Sequence, residues 1–351
     1  MTHPKRIAVC TSQVPFASGG AEILVETLAR ELSKRDWTVD VVRIPFQWDP
    51  KEEILKGYLA WQLVDLIEAE GTPVDIVIAT KFPSFAVHHP HKITWLIQQF
   101  RQAYDLFGTE FSHFTTSPED ERLRQHIRRI DTRTLAESRR LFAISKNVAR
   151  RLAHFNGLQA EPLYPPPQHE GLYRNDGYED YVLTVGRLDL LKRVEIIVEA
   201  MAHVRTQARL LIAGDGPEAE RLQSMVRERG ISDRVQFLGH VEDGRLLDLY
   251  ANCFAVFYGP LDEDYGLVTV EAFKCQKPVL TTSDSGGVLE FVDEGATGYI
   301  VPPDETRQLA DCIDRLYTNR SLCRQLGTAG LDSVRGITWD STISQLLDSH
   351  V

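Results

Sequence analysis

Tyr181-Val182-Leu183-Thr184-Val185-Gly186-Arg187-Leu188-Asp189-Leu190-Leu191-Lys192-Arg193 is a short apolar run, interrupted by glycine and followed by charged residues. The run reads as a strand, Gly186 ends it, and a helical stretch follows. The same rhythm recurs along the chain. Residues 208–213, 235–238, 253–258 and 278–281 read as strands with helical segments between them. In the first half, 7–11, 39–44, 75–80 and 93–97 read as strands, and 21–34 and 51–68 as helices. Strands separated by helix-length segments predict βαβ units, parallel sheets and an α/β fold.

At 351 residues the chain is long enough for two domains. Pro162 and the triplet Pro165-Pro166-Pro167 read as an exposed linker, because consecutive prolines neither continue a helix nor join a central strand. The expected domains are 1–165 and 166–336, with an amphipathic helix in the tail 337–351. Ligands of open α/β sheets bind at the carboxyl ends of the strands, so a cleft between two such domains is expected. A content of 43% hydrophobic and 25% charged residues excludes disordered and collagen-like chains. No apolar run approaches the ~18 residues of a membrane span, and the apolar run at residues 7–10 is too short for a signal-peptide core. The five cysteines form no Cys-x-x-Cys pair and read as buried thiols of a reducing compartment. The expectation is a cytoplasmic protein.

A net charge of −11 argues against a nucleic-acid partner. That average is uneven. Residues 121–151 carry ten basic and three acidic residues, a local +7 that leaves −18 elsewhere. Arg122, Arg129, Arg133 and Arg140 recur at roughly helical spacing, which predicts a basic helix face. It is either a solvated surface or a patch for an anionic, lipid-linked acceptor or an acidic membrane surface.

Several loops carry residues suited to chemistry. Arg187 and Lys192 follow a strand and precede a helix, where cations oppose the helix dipole unless an anion arrives. Gly214-Asp215-Gly216-Pro217 forms a tight strand-to-helix turn. It fits the dinucleotide pattern only loosely, since it follows the second strand of its half. Glu263 lies in a loop and Glu271 in the next helix, flanking Gly266, Leu267 and Val268, whose backbone N–H groups offer an anion site. Carboxylates beside an anion site suit hydroxyl groups, so the set fits a phosphorylated ligand bearing sugar hydroxyls. A second glycine-rich turn, Asp284-Ser285-Gly286-Gly287, opens the following helix. His88, His89 and His91 lack partners at metal-ligand spacing.

Together these residues resemble glycosyltransferase family 4. Glu263 to Glu271 matches its Glu-x7-Glu signature. Gly186-Arg187 with Lys192, Gly214-Asp215-Gly216-Pro217, Leu238-Gly239-His240-Val241, Gly286-Gly287 and Gly19-Gly20-Ala21-Glu22 follow the family's order. The resemblance implies the GT-B architecture, two Rossmann-like domains facing each other across a cleft. It implies that Arg187 and Lys192 clamp a donor diphosphate, that Glu271 holds the ribose and that Glu263 holds the transferred sugar. Backbone from Tyr265 through Gly266, Leu267 and Val268 would touch sugar and phosphate, and His240 and Val241 the base. Gly214 and Gly216 would line the donor site, and Gly19 and Gly20 would approach the diphosphate from the first domain. The tail would cross back to that domain. Gln98 stands where a subgroup of the family commonly has a histidine, and it cannot ionise.

The implied activity is retaining transfer of a hexose-type sugar from a nucleotide diphosphate donor to a saccharide or lipid-linked acceptor, in cell-surface polysaccharide or glycoconjugate synthesis. No cofactor or metal is expected: the Asp-x-Asp formed by Asp262 and Asp264 is better explained by the Glu-x7-Glu frame. Two alternatives remain at this point, a non-catalytic sugar-nucleotide-binding partner and a sugar-nucleotide epimerase.

Overall fold

A computed structural model describes residues 5–16 and 19–348. The chain divides into two compact units, Met1–Gln168 with Trp339–Val351, and His169–Thr338. The last three residues of the tail, 349–351, lie outside the described residues.

The first unit is built on strands β1 (Arg6–Gln13) and β2 (Thr38–Pro45), a small antiparallel ribbon of β3 (Glu68–Ala69) and β4 (Thr72–Pro73), then β5 (Ile76–Ala79), β6 (Lys92–Leu96), β7 (Arg140–Ala143) and β8 (Glu161–Pro162). Its parallel sheet has the order β2-β1-β5-β6-β7-β8. Every residue of β5 and β6 is buried, as central parallel strands covered on both faces must be. Helix α1 (Gly20–Ser33) buries Leu24, Leu28 and Leu32 along one stripe, and α2 (Glu53–Leu63) buries Ile54, Tyr58 and Trp61. Helix α3 (Pro118–Ala136) starts from Ser117, whose hydroxyl accepts the Asp120 N–H, with Pro118 in its first turn. Helix α4 (Lys146–Asn156) is capped by Ser145, which accepts the Val148 N–H at 3.0 Å. The terminal helix Trp339–Leu347 belongs to this unit, where Trp339 meets Trp95 edge to face. All five tryptophans, Trp37, Trp48, Trp61, Trp95 and Trp339, lie here.

Three expectations for this unit are corrected. The helix expected over 51–68 spans only Glu53–Leu63, and Glu68 pairs in the ribbon. The proline triplet is buried rather than exposed. Its approach is tied down: β8 pairs with β7, the Trp95 indole donates to the Leu163 carbonyl, and the Thr342 hydroxyl donates to that of Tyr164. Finally, Arg140 does not share a helix face with Arg122, Arg129 and Arg133. The helix ends at Ala136 and Arg140 opens β7, a strand that spacing alone does not reveal.

The second unit contains β9 (Tyr181–Val185), β10 (Arg209–Ala213), β11 (Val235–Gly239), β12 (Ala255–Phe257), β13 (Val279–Thr282) and β14 (Gly298–Val301), the last absent from the sequence expectations. All pairings are parallel in the order β11-β10-β9-β12-β13-β14. Helices α5 (Val194–Met201), α6 (Ala219–Glu228), α7 (Asp243–Asn252), α8 (Leu267–Lys274), α9 (Thr306–Thr318) and α10 (Arg320–Val334) complete it. Numbered within the unit, the strand order is 3-2-1-4-5-6, the dinucleotide-binding order of doubly wound sheets. The direction of winding reverses between β9 and β12. Loops leaving the carboxyl ends of those two strands therefore diverge and leave a crevice, the place where such folds hold ligands.

Candidate active site at the strand-order reversal

The loop after β9 carries Arg187 and Lys192, and the loop after β12 carries Glu263. Leu188 is buried, which anchors the first loop, while Arg187 is exposed and has no side-chain partner among the described residues. Arg187, Lys192 and Tyr258 line one small crevice with Thr184 and Val185. A short helical turn, Leu190–Lys192, is capped by Asp189, whose carboxylate accepts the Lys192 N–H at 3.2 Å.

Lys192 does not wait for an external anion, contrary to the expectation from helix-dipole arguments. Its ammonium donates to Glu263 Oε2 at 2.6 Å and to the Tyr258 hydroxyl at 3.1 Å. Burial works against its charge, but the Glu263 carboxylate and Tyr258 outweigh burial and hold it above the usual lysine range. A cation and a carboxylate of the expected ligand-binding set are thus preassembled from different loops.

Glu271 sits in α8, which follows Gly266 without any side-chain cap. The uncapped start leaves its first N–H groups available to an anion. Gly266 has φ +86°, and a Cβ there would come within 2.7 Å of Val288, so glycine is required. The Tyr250 hydroxyl donates to Glu271 Oε2 at 2.8 Å and that of Tyr173 to Oε1 at 3.3 Å. Burial raises the Glu271 carboxyl to about 7, although both tyrosines oppose the rise. Tyr173, Tyr250 and Tyr258 escape a reading of the sequence, since nothing in their spacing ties them to Glu263 or Glu271.

The glycine motifs act through close backbone approach. A Cβ on Gly214 would lie 1.9 Å from the Gly186 carbonyl oxygen, and one on Gly216 would lie 2.3 Å from that of Leu188. The Leu188 N–H donates to the Asp215 carbonyl at 2.9 Å, so this turn braces the loop bearing Arg187. Helix α6 begins two residues later than Pro217, at Ala219. Gly286 and Gly287 do the same for Glu263: the Gly287 N–H donates to the Glu263 carbonyl at 2.7 Å. His240 is exposed and Val241 half-buried just past β11, while the Tyr265 ring is buried edge to face against Phe291. Leu267 and Val268 are half-buried at the start of α8.

In the first unit the order reverses between β1 and β5, and Gly19, Gly20 and Glu22 follow β1 there. Lys81, just past β5, donates to Glu22 Oε1, a pair unseen in the sequence. Gln98 follows β6, half-buried, with its carbonyl accepting the Phe82 N–H. Of the basic segment, Arg122 pairs with Glu119, Arg140 with Glu161, and Arg151 with Asp105, while Arg129 and Arg133 are exposed on α3. His88 meets Glu137, and the rings of His89 and His91 meet backbone carbonyls. These lie at the amino end of β6; His88 and His89 line a cavity of about 490 Å³ with Lys92 and Glu137. Among the described residues no three His, Cys, Asp or Glu side chains converge as a metal-ligand set, and no helix is long and apolar enough to cross a membrane.

Two Rossmann-like parallel sheets, each with its own reversal of strand order, define the GT-B class. The family model described as "Glycosyl transferases group 1" matches residues 172–332. That match lies within the second unit, and the chain is similar there to glycosyltransferases of this group. It is 31% identical over 241 residues to a D-inositol 3-phosphate glycosyltransferase of Nocardia farcinica, an alignment covering 62% of this chain and 53% of that protein. The chain thus spans about half the length of that curated relative. Sucrose-phosphate synthase of Thermosynechococcus elongatus superposes with a TM-score of 0.77 at 20% identity, covering 98% of each chain. Anabaena HepE, solved with UDP and glucose, superposes with a TM-score of 0.73 at 17% identity, covering 98% of this chain and 99% of that one. These two likenesses are of fold.

Proposed function

We propose that the protein is a glycosyltransferase that moves a hexose-type sugar from a nucleotide diphosphate donor to a saccharide or lipid-linked acceptor, with retention of configuration and without a metal. One observation carries the reading: cations, carboxylates and an uncapped helix start gather on loops flanking the strand-order reversal of the second unit. Departure of a nucleoside diphosphate leaves negative charge to be stabilised. Arg187, Lys192 and the N–H groups opening α8 supply that stabilisation, and losing one such group typically costs about 100- to 1,000-fold in rate. Glu263 and Glu271 accept hydrogen bonds from hydroxyls of the sugar and the ribose. Because Lys192 already holds Glu263, donor binding inserts phosphate and sugar hydroxyl into an existing ion pair. The UDP and glucose bound by Anabaena HepE make a uridine donor the first to try. An anionic acceptor or lipid surface would meet the exposed Arg122, Arg129 and Arg133.

The test is turnover of a panel of UDP-, GDP-, ADP- and dTDP-sugars in EDTA, with anomeric configuration read by NMR. Release of nucleoside diphosphate is expected from at least one donor, and Lys192→Ala should lower it by about 100-fold or more while the variant stays folded. Full activity in that variant would sink the assignment. Sedimentation with anionic vesicles, lost in Arg129→Glu/Arg133→Glu, checks the membrane contact.

A further inference from the structure

Arg193, next to Lys192, occupies an unusual place. Its backbone lies in the left-handed region at φ +48°, which disfavours any side chain. Each of its three guanidinium nitrogens nevertheless donates to a neighbouring loop. Nε donates to the Gly259 carbonyl at 3.0 Å, and Nη2 to the Pro260 carbonyl at 3.0 Å and the Thr282 hydroxyl at 2.8 Å. Nη1 and Nη2 grip the two Asp284 oxygens at 2.7 and 2.6 Å. One side chain thereby ties together the loops following β9, β12 and β13. Backbone bonds run through the same junction: Leu261 N–H to the Leu191 carbonyl at 2.8 Å, and Asp262 N–H to the Asp284 carbonyl at 2.9 Å. Asp262, one residue before Glu263, is also left-handed, at φ +43°. Two unfavourable backbone conformations thus flank the Lys192–Glu263 pair, and Arg193 is the group that joins the segments containing them.

We infer that Arg193 is a positioning residue for the proposed transfer: by clamping Gly259, Pro260, Thr282 and Asp284 it fixes Glu263 and Lys192 at their working separation. Arg193 acts through these neighbours rather than on the donor itself. Its fork geometry is what the position uses, because lysine has no planar set of donors for Asp284 and two carbonyls. The inference rests on the proposed function for its catalytic consequence, while the clamp itself can be observed without turnover.

The experiment compares wild type with Arg193→Gly, Arg193→Lys and Asp284→Asn. Glycine tolerates φ +48°, so Arg193→Gly removes the clamp and relieves the backbone together. It should lower kcat by about 10- to 100-fold, the size expected when catalytic groups are misplaced by about 1 Å. The affinity for UDP, by calorimetry, should fall by less than kcat does, because Lys192 shifts while Arg187 and Glu271, assigned to the pyrophosphate and the ribose, are outside the clamp. Arg193→Lys and Asp284→Asn should fall between wild type and Arg193→Gly. Amide hydrogen exchange over 258–266 and 282–287 should accelerate in Arg193→Gly while β9 and β10 keep their protection. Wild-type exchange in those loops, or wild-type kcat in a folded Arg193→Gly, overturns the inference. Absence of turnover in wild type with every sugar nucleotide defeats the proposed function instead, and the exchange measurement then decides the clamp alone.

Discussion

Glu271 offers a prediction in which stability and binding move in opposite directions. Its carboxyl is raised from the ordinary 4.5 to about 7 by burial. At 1.36 kcal/mol per pH unit, this difference of about 2.5 corresponds to about 3 kcal/mol against the charged form. Between pH 4.5 and 7 the folded chain binds more protons at this site than the unfolded chain. The contribution of Glu271 is therefore most favourable below 4.5 and is lost as pH rises through 7. Glu271→Gln stays neutral at every pH and keeps an oxygen for one tyrosine. At pH 8 the variant should be more stable than wild type by about 1–3 kcal/mol, allowing for the imperfect match of an amide to two hydroxyl donors. That corresponds to roughly 2–4 °C in Tm per kcal/mol for a domain of this size. At about pH 5 the two proteins should melt together. On the proposed role of Glu271 as ribose acceptor, binding should go the other way: an amide cannot accept both ribose hydroxyls, and hydrogen bonds to a charged group are worth about 1.5–3 kcal/mol each. UDP affinity at pH 8 should fall about tenfold or more. Differential scanning calorimetry across pH and titration calorimetry with UDP read both quantities. A variant less stable than wild type by the same margin at low and high pH would falsify the claim that burial of a charge dominates this site.

Three further outcomes follow from the packing. Gly214→Ala places a methyl 1.9 Å from the Gly186 carbonyl oxygen at a glycine with φ +140°, so the loop bearing Arg187 must shift; a stability loss of about 1–3 kcal/mol is expected, measured by urea unfolding. The Lys192–Glu263 pair is three-quarters shielded, with side-chain exposures of 23% and 22%; a double-mutant cycle with Lys192→Met and Glu263→Gln should give a coupling energy above the ~1 kcal/mol ceiling typical of exposed pairs. A coupling near zero would count against the preassembled pair. Lys92 is buried and donates to the carbonyls of Phe85, Val87 and Thr134; Lys92→Met strands those acceptors, and thermal unfolding should show a loss of about 3 kcal/mol or more.

Much of the scaffold is legible because apolar runs and glycine breaks are local signals. The strand at Tyr181–Val185 and the loops bearing Arg187, Glu263 and Gly286 can be located from neighbours in sequence. What cannot be read depends on residues far apart in the chain. Glu263 meets Lys192 across 71 positions and Glu271 meets Tyr173 across 98. Arg193 reaches Asp284 across 91. No periodicity encodes such pairings; they arise when parallel strands align the ends of distant loops. Strand β7 is hidden for a different reason. Arg139 and Arg140 continue the basic composition of α3, so charge masks the change from helix to strand. The buried prolines mislead because their ring geometry excludes strands and helices without requiring solvent.

The distribution of tryptophan has an optical consequence. All five indoles lie in the first unit, whereas the tyrosines around Glu271 and Lys192 lie in the second. Selective excitation of indole emission therefore reports melting of the first unit alone, without labels or engineered probes. Tyrosine difference absorbance is weighted toward the second unit, which holds eight of the eleven tyrosines, and Tyr173 and Tyr250, hydrogen-bonded to Glu271, are placed to register its ionisation. The two traces recorded in one melt tell whether the units lose structure together. Adding a nucleotide that binds only the second unit then measures their thermodynamic coupling as a displacement of the indole trace.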